Sequence, residues 1–199
     1  MGTGLTKSFL TSRRKIDLEK LAEELSKTET VKAIKSMEEK QFLDDLHYSL
    51  ENILKQRSEP KRLLMQKVFL GYINTEHKSS YPLEKMYAVV ESLTFADVSF
   101  FRRVFEAKDI KEKYSFPFVS TENLSGYHVP EDEKKKLMIL TYSEDTQDQA
   151  SKENLITEGL LIERNENVGG IGVAGGTPQI YVTHFGRYFK EYLLNLDDL

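Results

Sequence analysis

With 199 residues, 39% of them apolar and 30% charged, the chain can bury one large core or two small ones, which excludes wholesale disorder. Its formal net charge of −4 excludes nucleic-acid binding through overall charge, so any such binding would need a local basic patch. There are no cysteines, which removes disulfides, thiolate zinc sites and cysteine nucleophiles together.

The longest apolar run, Val68-Phe69-Leu70-Gly71-Tyr72-Ile73, falls far short of the ~18 residues a bilayer span needs. The N-terminus has no charged-then-apolar signal architecture, so the cytoplasm is the expected compartment. Residues 1–15, ending in Arg13-Arg14-Lys15, show no apolar period and are expected as a mobile arm. Gly2 and Thr6 also fit a myristoylation pattern beside that basic cluster, a reading that would apply only in a eukaryotic setting or in a virus of one.

From residue 16 the pattern is helical. Leu18, Leu21, Ala22 and Leu25 form one stripe. Thr30 reads as an N-cap for a helix whose apolar face, Val31, Ile34, Met37, Phe42, Leu46, Leu50 and Ile53, continues for about six turns. Ser58-Glu59-Pro60 is a start signal, because proline in the first turn loses no helical hydrogen bond. The helix that follows, Lys61 to Asn74, is apolar on most sides and is expected at the centre of a bundle. His77 to Tyr81 reads as a loop, and Pro82 opens a helix through Met86, Val89, Val90 and Leu93.

Thr94-Phe95-Ala96-Asp97 has the form of a capping box and opens a helix carrying Val98, Phe101, Val104 and Phe105. Tyr114 to Val129 is a long aromatic-rich connection, and Lys134 to Tyr142 a short helix or strand. Thr146-Gln147-Asp148-Gln149 caps a helix that stops at Gly159. Leu160 to Arg164 is a strand, Asn165 to Pro178 a glycine-rich turn and Gln179 to Val182 a return strand. Thr183 caps a last helix through Phe185, Tyr188, Phe189, Tyr192 and Leu193.

The run Asn154-Leu155-Ile156-Thr157-Glu158-Gly159-Leu160-Leu161-Ile162, followed by Tyr181-Val182-Thr183-His184-Phe185-Gly186, resembles winged-helix regulators of the MarR and PadR type. There a glycine-leucine helix exit leads into a β-wing that closes on tyrosine-x-threonine-x-x-glycine. In this chain Gly159 would end the helix, Thr183 would cap the next, and Gly186 would lack a Cβ where that helix passes close to a strand. The segment Leu93 to Asp97 is similar to the first helix of such a domain. The arrangement also resembles the Abi-alpha family of phage abortive-infection proteins, over residues 90 to 190. The resemblance lies in structural residues and transfers no site.

A winged helix would place its recognition helix at Glu144 to Glu158. Five acids stand there against Lys152, a balance of −4 that phosphates would repel. Gln147, Gln149, Lys152 and Asn154, with Arg164 and Arg187, are the candidate nucleic-acid contacts. The wing tip, Val168, Ile171, Val173 and Ala174, is apolar where a DNA-binding wing carries Arg or Lys, so it is the candidate surface for a protein partner or a second copy of the chain. Gly170 to Gly175 has G-x-G-x-x-G spacing, but Thr177-Pro178 and a strand follow where a dinucleotide site requires a helix, so the match is accidental. His47, His77, His128 and His184 are scattered, and no nucleophile elbow or paired-acid context occurs, so no catalytic, metal or cofactor residue is expected. Arg102-Arg103 and Lys134-Lys135-Lys136 read as solvated helix faces.

The chain therefore reads as mainly α. An arm (1–15) precedes an N-terminal helical bundle (16–92) and a C-terminal winged-helix-like α+β unit with a β-hairpin wing (93–199). The expected role is a non-enzymatic recognition or adaptor protein working by protein contacts, in bacterial or phage conflict as the Abi-alpha resemblance implies. The alternative is a DNA-binding transcription regulator, and self-association as a homodimer is compatible with either.

Overall fold

The computed structural model describes residues 15–74, 81–116, 119, 124, 128–141, 145–166 and 177–194. Residues 1–14 of the expected arm with the myristoylation signal, the loop at 77–80, residues 167–176 of the glycine-rich turn and the wing tip at Val168, Ile171, Val173 and Ala174 lie outside them, whereas Lys15 is helical and Asn165, Glu166, Thr177 and Pro178, expected in the turn, pair as strand. The described chain is mainly helical with one small antiparallel hairpin near its C-terminus. It divides into two compact units that change over between Ser92 and Leu93.

The first unit holds α1 (15–25), α2 (Thr28–Lys35), α3 (Glu39–Lys55), α4 (Glu59–Asn74) and α5 (Leu83–Ser92). The long apolar face expected from Val31 to Ile53 is split between α2 and α3. Ser36 N–H closes on Ala33 O and Met37 N–H on Ile34 O, and Glu38 then turns extended. Thr30 lies buried inside α2, and the extended residue before that helix is Lys27, which makes no side-chain cap. No glycine or proline marks the break, so apolar periodicity runs through it unaltered.

Helix α4 is the centre of this unit, packed against α2, α3 and α5. Leu64, Met65, Val68, Phe69 and Ile73 are buried on several of its sides, as its lack of a polar face requires. It also buries Arg62, whose Nε donates to Asp17 Oδ2 at 2.9 Å, with both side chains under 10% exposed. Gln66 Nε2 donates to the Asp17 carbonyl at 3.2 Å. A buried ion pair of this kind is strongly destabilising to break by removing one partner.

In the second unit α6 (Phe95–Lys113) packs against α7 (Glu131–Met138), α8 (Thr146–Thr157) and α9 (His184–Leu194). Thr94 and Asp97 form the capping box, Thr94 N–H donating to Asp97 Oδ2 at 2.7 Å and Asp97 N–H to Thr94 Oγ1 at 3.2 Å. Phe100, Phe101, Val104, Phe105 and Ala107 make the buried face of α6, and Leu137 of α7, Leu155 of α8 and Phe189 of α9 are buried on the helices packed against it. The N-cap of α8 is Asp145, one residue before the run the sequence offered; its carboxylate accepts from Gln147 N–H at 2.7 Å.

Gly159 ends α8 with φ +74°. Its N–H donates to Ile156 O and that of Leu160 to Leu155 O, both at 2.9 Å, with Leu155 and Leu160 buried together. Strands β1 (Leu161–Glu166) and β2 (Thr177–Val182) then pair antiparallel, Leu161 opposite Val182 and Glu166 opposite Thr177. The hairpin is tied to the helices through β2, where Ile180 N–H donates to Leu140 O at 2.8 Å. Thr183 caps α9: its Oγ1 accepts from Gly186 N–H at 2.8 Å and donates to Gly159 O at 2.7 Å, while its N–H reaches Leu160 O. A Cβ on Gly186 would sit 2.1 Å from Leu160 O, so only glycine lets α9 start this close to the end of α8.

Candidate functional site

The side chains of α8 that sequence marks as base readers are mostly engaged within their own unit. Lys152 Nζ pairs with Glu163 Oε1 of β1 at 3.0 Å and is largely buried. Asn154 Nδ2 donates to Asp97 Oδ2 at 2.8 Å, and Gln149 Nε2 to Glu153 Oε1 at 3.0 Å. Asp148 forms a bidentate pair with Arg103 of α6. Gln147 is exposed. Asp97 is the hub of this arrangement: burial works to raise its carboxyl pKa, but hydrogen bonds from Thr94, Ser151 and Asn154 together hold it below the usual carboxylate range. The carboxylate thus locks the start of α6 to the middle of α8.

Arg164 and Arg187 lie away from that helix. Arg164 is exposed on β1, its guanidinium 5.9 Å from the Tyr181 ring centroid. Arg187 is exposed on α9 and lines a cleft of about 440 Å³ formed by α6, β2, α9 and the segments that follow α6 and α7. Lys136 of the basic runs reaches Glu106 at 3.6 Å, and Arg103 is in the Asp148 pair. Among the described residues no group of three or more His, Asp or Glu side chains is placed to hold a metal ion.

Sequence reasoning did not point to the cleft. Val104, Phe116, Leu140 and Ile180 are buried around it, and Val182 adds to the apolar wall. Lys108, Lys111 and Arg187 stand around these walls with one carboxylate, Glu112. Glu112 is paired with Lys108 at 2.8 Å, and that hydrogen bond and charge keep its carboxyl below the ordinary range. Lys111 is half-buried with its ammonium 5.1 Å from the Tyr181 ring centroid; burial pulls its pKa down, against the attraction of Glu166 and Glu112. Tyr181 donates to Glu166 Oε1 at 2.6 Å, and burial, that bond and the Glu166 charge push its phenol up to about 12.

One wall of the cleft is made by strained backbone. Ser115 has φ +55° and closes the C-terminus of α6, its N–H on Glu112 O and that of Phe116 on Lys111 O. On the far side of β2, Gln179 is buried and clasps Val119, accepting from its N–H at 3.0 Å and donating to its carbonyl at 2.8 Å. These bonds hold β2, and with it Ile180 and Tyr181, in place. Lys108, Lys111 and Glu112 are adjacent on a helix and legible as such, but nothing in their spacing tells that β2 and Arg187 come to face them. No protein-family model matches the chain, and neither a curated protein nor a solved structure matches it.

Proposed function

We propose that this chain is a non-enzymatic recognition or adaptor protein whose winged-helix-like C-terminal unit contacts proteins and does not read DNA. The observation that carries this reading is the engagement of α8: Lys152 with Glu163, Asn154 with Asp97 and Gln149 with Glu153. Laid in a groove, the helix would bring Asp145 and Glu153 toward phosphates and would have to break these bonds to reach base edges. Phe95 supports the positive half. It is 83% exposed at the first turn of α6, and burying such a ring against a partner is favourable by roughly 1.5–3 kcal/mol. The same proposal takes the apolar wing tip, Val168, Ile171, Val173 and Ala174, as a second contact. It also includes the defence or counter-defence role that the Abi-alpha resemblance implies.

Fluorescence anisotropy of a labelled random duplex, at about 50 mM and about 200 mM salt, tests the reading. No saturable binding is expected at either salt. Binding that weakens steeply with salt would overturn the proposal in favour of a DNA-binding regulator. On size exclusion, Phe95→Asp and Ile171→Asp are expected to dissociate an assembled form, and unchanged elution of both removes these surfaces from the reading.

A further inference from the structure

We infer that the outer edge of β1 pairs antiparallel with the same edge of a second copy of the chain, joining the two hairpins into one sheet about a two-fold axis at Asn165. The backbone shows which groups that edge offers. In an antiparallel ladder, opposed residues alternate between pairs that exchange both hydrogen bonds and pairs whose N–H and C=O point away from each other. Ile180 N–H donates outward to Leu140 O, and Thr183 N–H donates across the ladder to Leu160 O. The outward-pointing pairs are therefore Leu161 with Val182, Glu163 with Ile180 and Asn165 with Pro178. On β2 this edge is protected, since Ile180 is bonded to Leu140 and Pro178 has no N–H to offer. On β1 the groups of Leu161, Glu163 and Asn165 face outward, and among the described residues no further strand pairs with them. Residues 162–165 are all exposed although consecutive side chains point to opposite faces, so neither face of the strand is buried there and a neighbour has room.

An open edge recruits strands, and the charges along it select which one. A two-fold axis normal to the sheet sets one residue of β1 opposite its own copy. At Glu163, Arg164 or Glu166 that would bring like charges face to face. At Leu161 or Ile162 the second strand would run over the buried end of β1 and match Glu163 with no cation. At Asn165 two neutral amides meet, and Arg164 of each copy stands opposite Glu166 of the other. Both charged groups already lie on one face beside Tyr181. The Arg164 guanidinium is 5.9 Å from the ring centroid, and Glu166 Oε1 accepts from the phenol at 2.6 Å, which leaves Oε2 to meet the second copy's Arg164. Such a dimer rests on the protein-contact reading above and gives that contact a place and a partner.

The chain has no cysteine, so single-cysteine variants of the full chain report the register. In the paired dimer the two Cα atoms at position 165 lie about 5.5 Å apart, within the span of a disulfide. Those at position 163 are displaced by about 13 Å along the strands. Under mild oxidation Asn165→Cys is expected to form a covalent dimer, faster at higher protein concentration, while Glu163→Cys stays monomeric. Adding Arg164→Glu, or Glu166→Arg, to Asn165→Cys is expected to slow cross-linking about tenfold. Mixing those two variants restores it, because each then faces the opposite charge. Arg164 is exposed, so Arg164→Glu keeps the wild-type urea midpoint and decides the matter even where Glu166→Arg loosens the hairpin. Cross-linking of Glu163→Cys as fast as Asn165→Cys makes the contact a random collision or a different register, and an unchanged rate in Arg164→Glu removes the charge selection. Either result, or no covalent dimer of Asn165→Cys, overturns the inference. No DNA is present in this assay, so its failure strikes the strand-paired dimer and leaves the exclusion of DNA reading to the anisotropy test.

Discussion

Replacing Gly186 by alanine tests the tightest backbone approach in the second unit. An ideal Cβ there meets Leu160 O at 2.1 Å and Val182 Cγ1 at 2.9 Å, whereas ordinary contact begins at 3.4 Å. The start of α9 must therefore retreat by roughly 1.3 Å, the difference between those distances. It cannot do so freely, because Thr183 N–H is bonded to Leu160 O at 3.1 Å and Thr183 Oγ1 to Gly159 O at 2.7 Å. Overpacking of this severity costs about 3 kcal/mol. Loss of two hydrogen bonds adds about 2 kcal/mol. The better helix propensity of alanine returns about 1 kcal/mol, leaving a loss near 4 kcal/mol. Gly159→Ala is the control, because its site is open and only the positive φ is penalised, by about 1–2 kcal/mol. Urea unfolding followed by circular dichroism, with hydrogen exchange of the 161–166 amides to locate the loss, measures both. If Gly186→Ala proves no more destabilising than Gly159→Ala, the close approach of α9 to Leu160 is wrong.

Two further outcomes follow from titrating groups. Asp97 has a depressed folded pKa, so its contribution to stability is present above the unfolded carboxyl value near pH 4 and is lost as pH falls through the folded value. Asp97→Asn, which turns an amide toward donors, should cost about 2–3 kcal/mol near pH 7 and progressively less below pH 4; a cost that does not vary with pH would refute the hub role. Tyr181 has a raised folded pKa, so its neutral form favours the fold below about pH 10 and that contribution is lost as the phenol ionises near 12. The phenolate absorbance that develops around pH 12 should lose the amplitude of one tyrosine in Tyr181→Phe and shift part of it to lower pH in Glu166→Gln, the buried Tyr87 still titrating late in both; a wild-type curve in Glu166→Gln would show that the hydrogen bond is not the cause.

The parts of the fold that were legible in advance share one property: their chemistry closes within a few residues. The Thr94 capping box, the Gly159 stop and the Thr183 cap each pair groups no more than five positions apart, and proline in the first turn of α4 needs no partner for the N–H it lacks. The centrality of α4 was legible as well, because a helix apolar on most sides has nowhere else to go. The break at Ser36 to Glu38 was not, since it interrupts hydrogen bonds without interrupting apolar spacing and carries no glycine or proline.

The candidate sites divide along the same line. The acidic balance of the helix ending at Gly159, and the doubt this casts on DNA reading, came from composition alone. That Asn154 is bonded to a carboxylate 57 residues earlier, and that Gln179 clasps a backbone 60 residues earlier, leaves no trace in either segment. The cleft is the extreme case: Lys111 and Arg187 are ordinary surface cations in the linear chain, and only the packing of α6, β2 and α9 brings them to one cleft. Periodicity and capping record interactions along one segment, whereas burial, pairing and the field at a charge are set by groups that only the folded chain brings within reach.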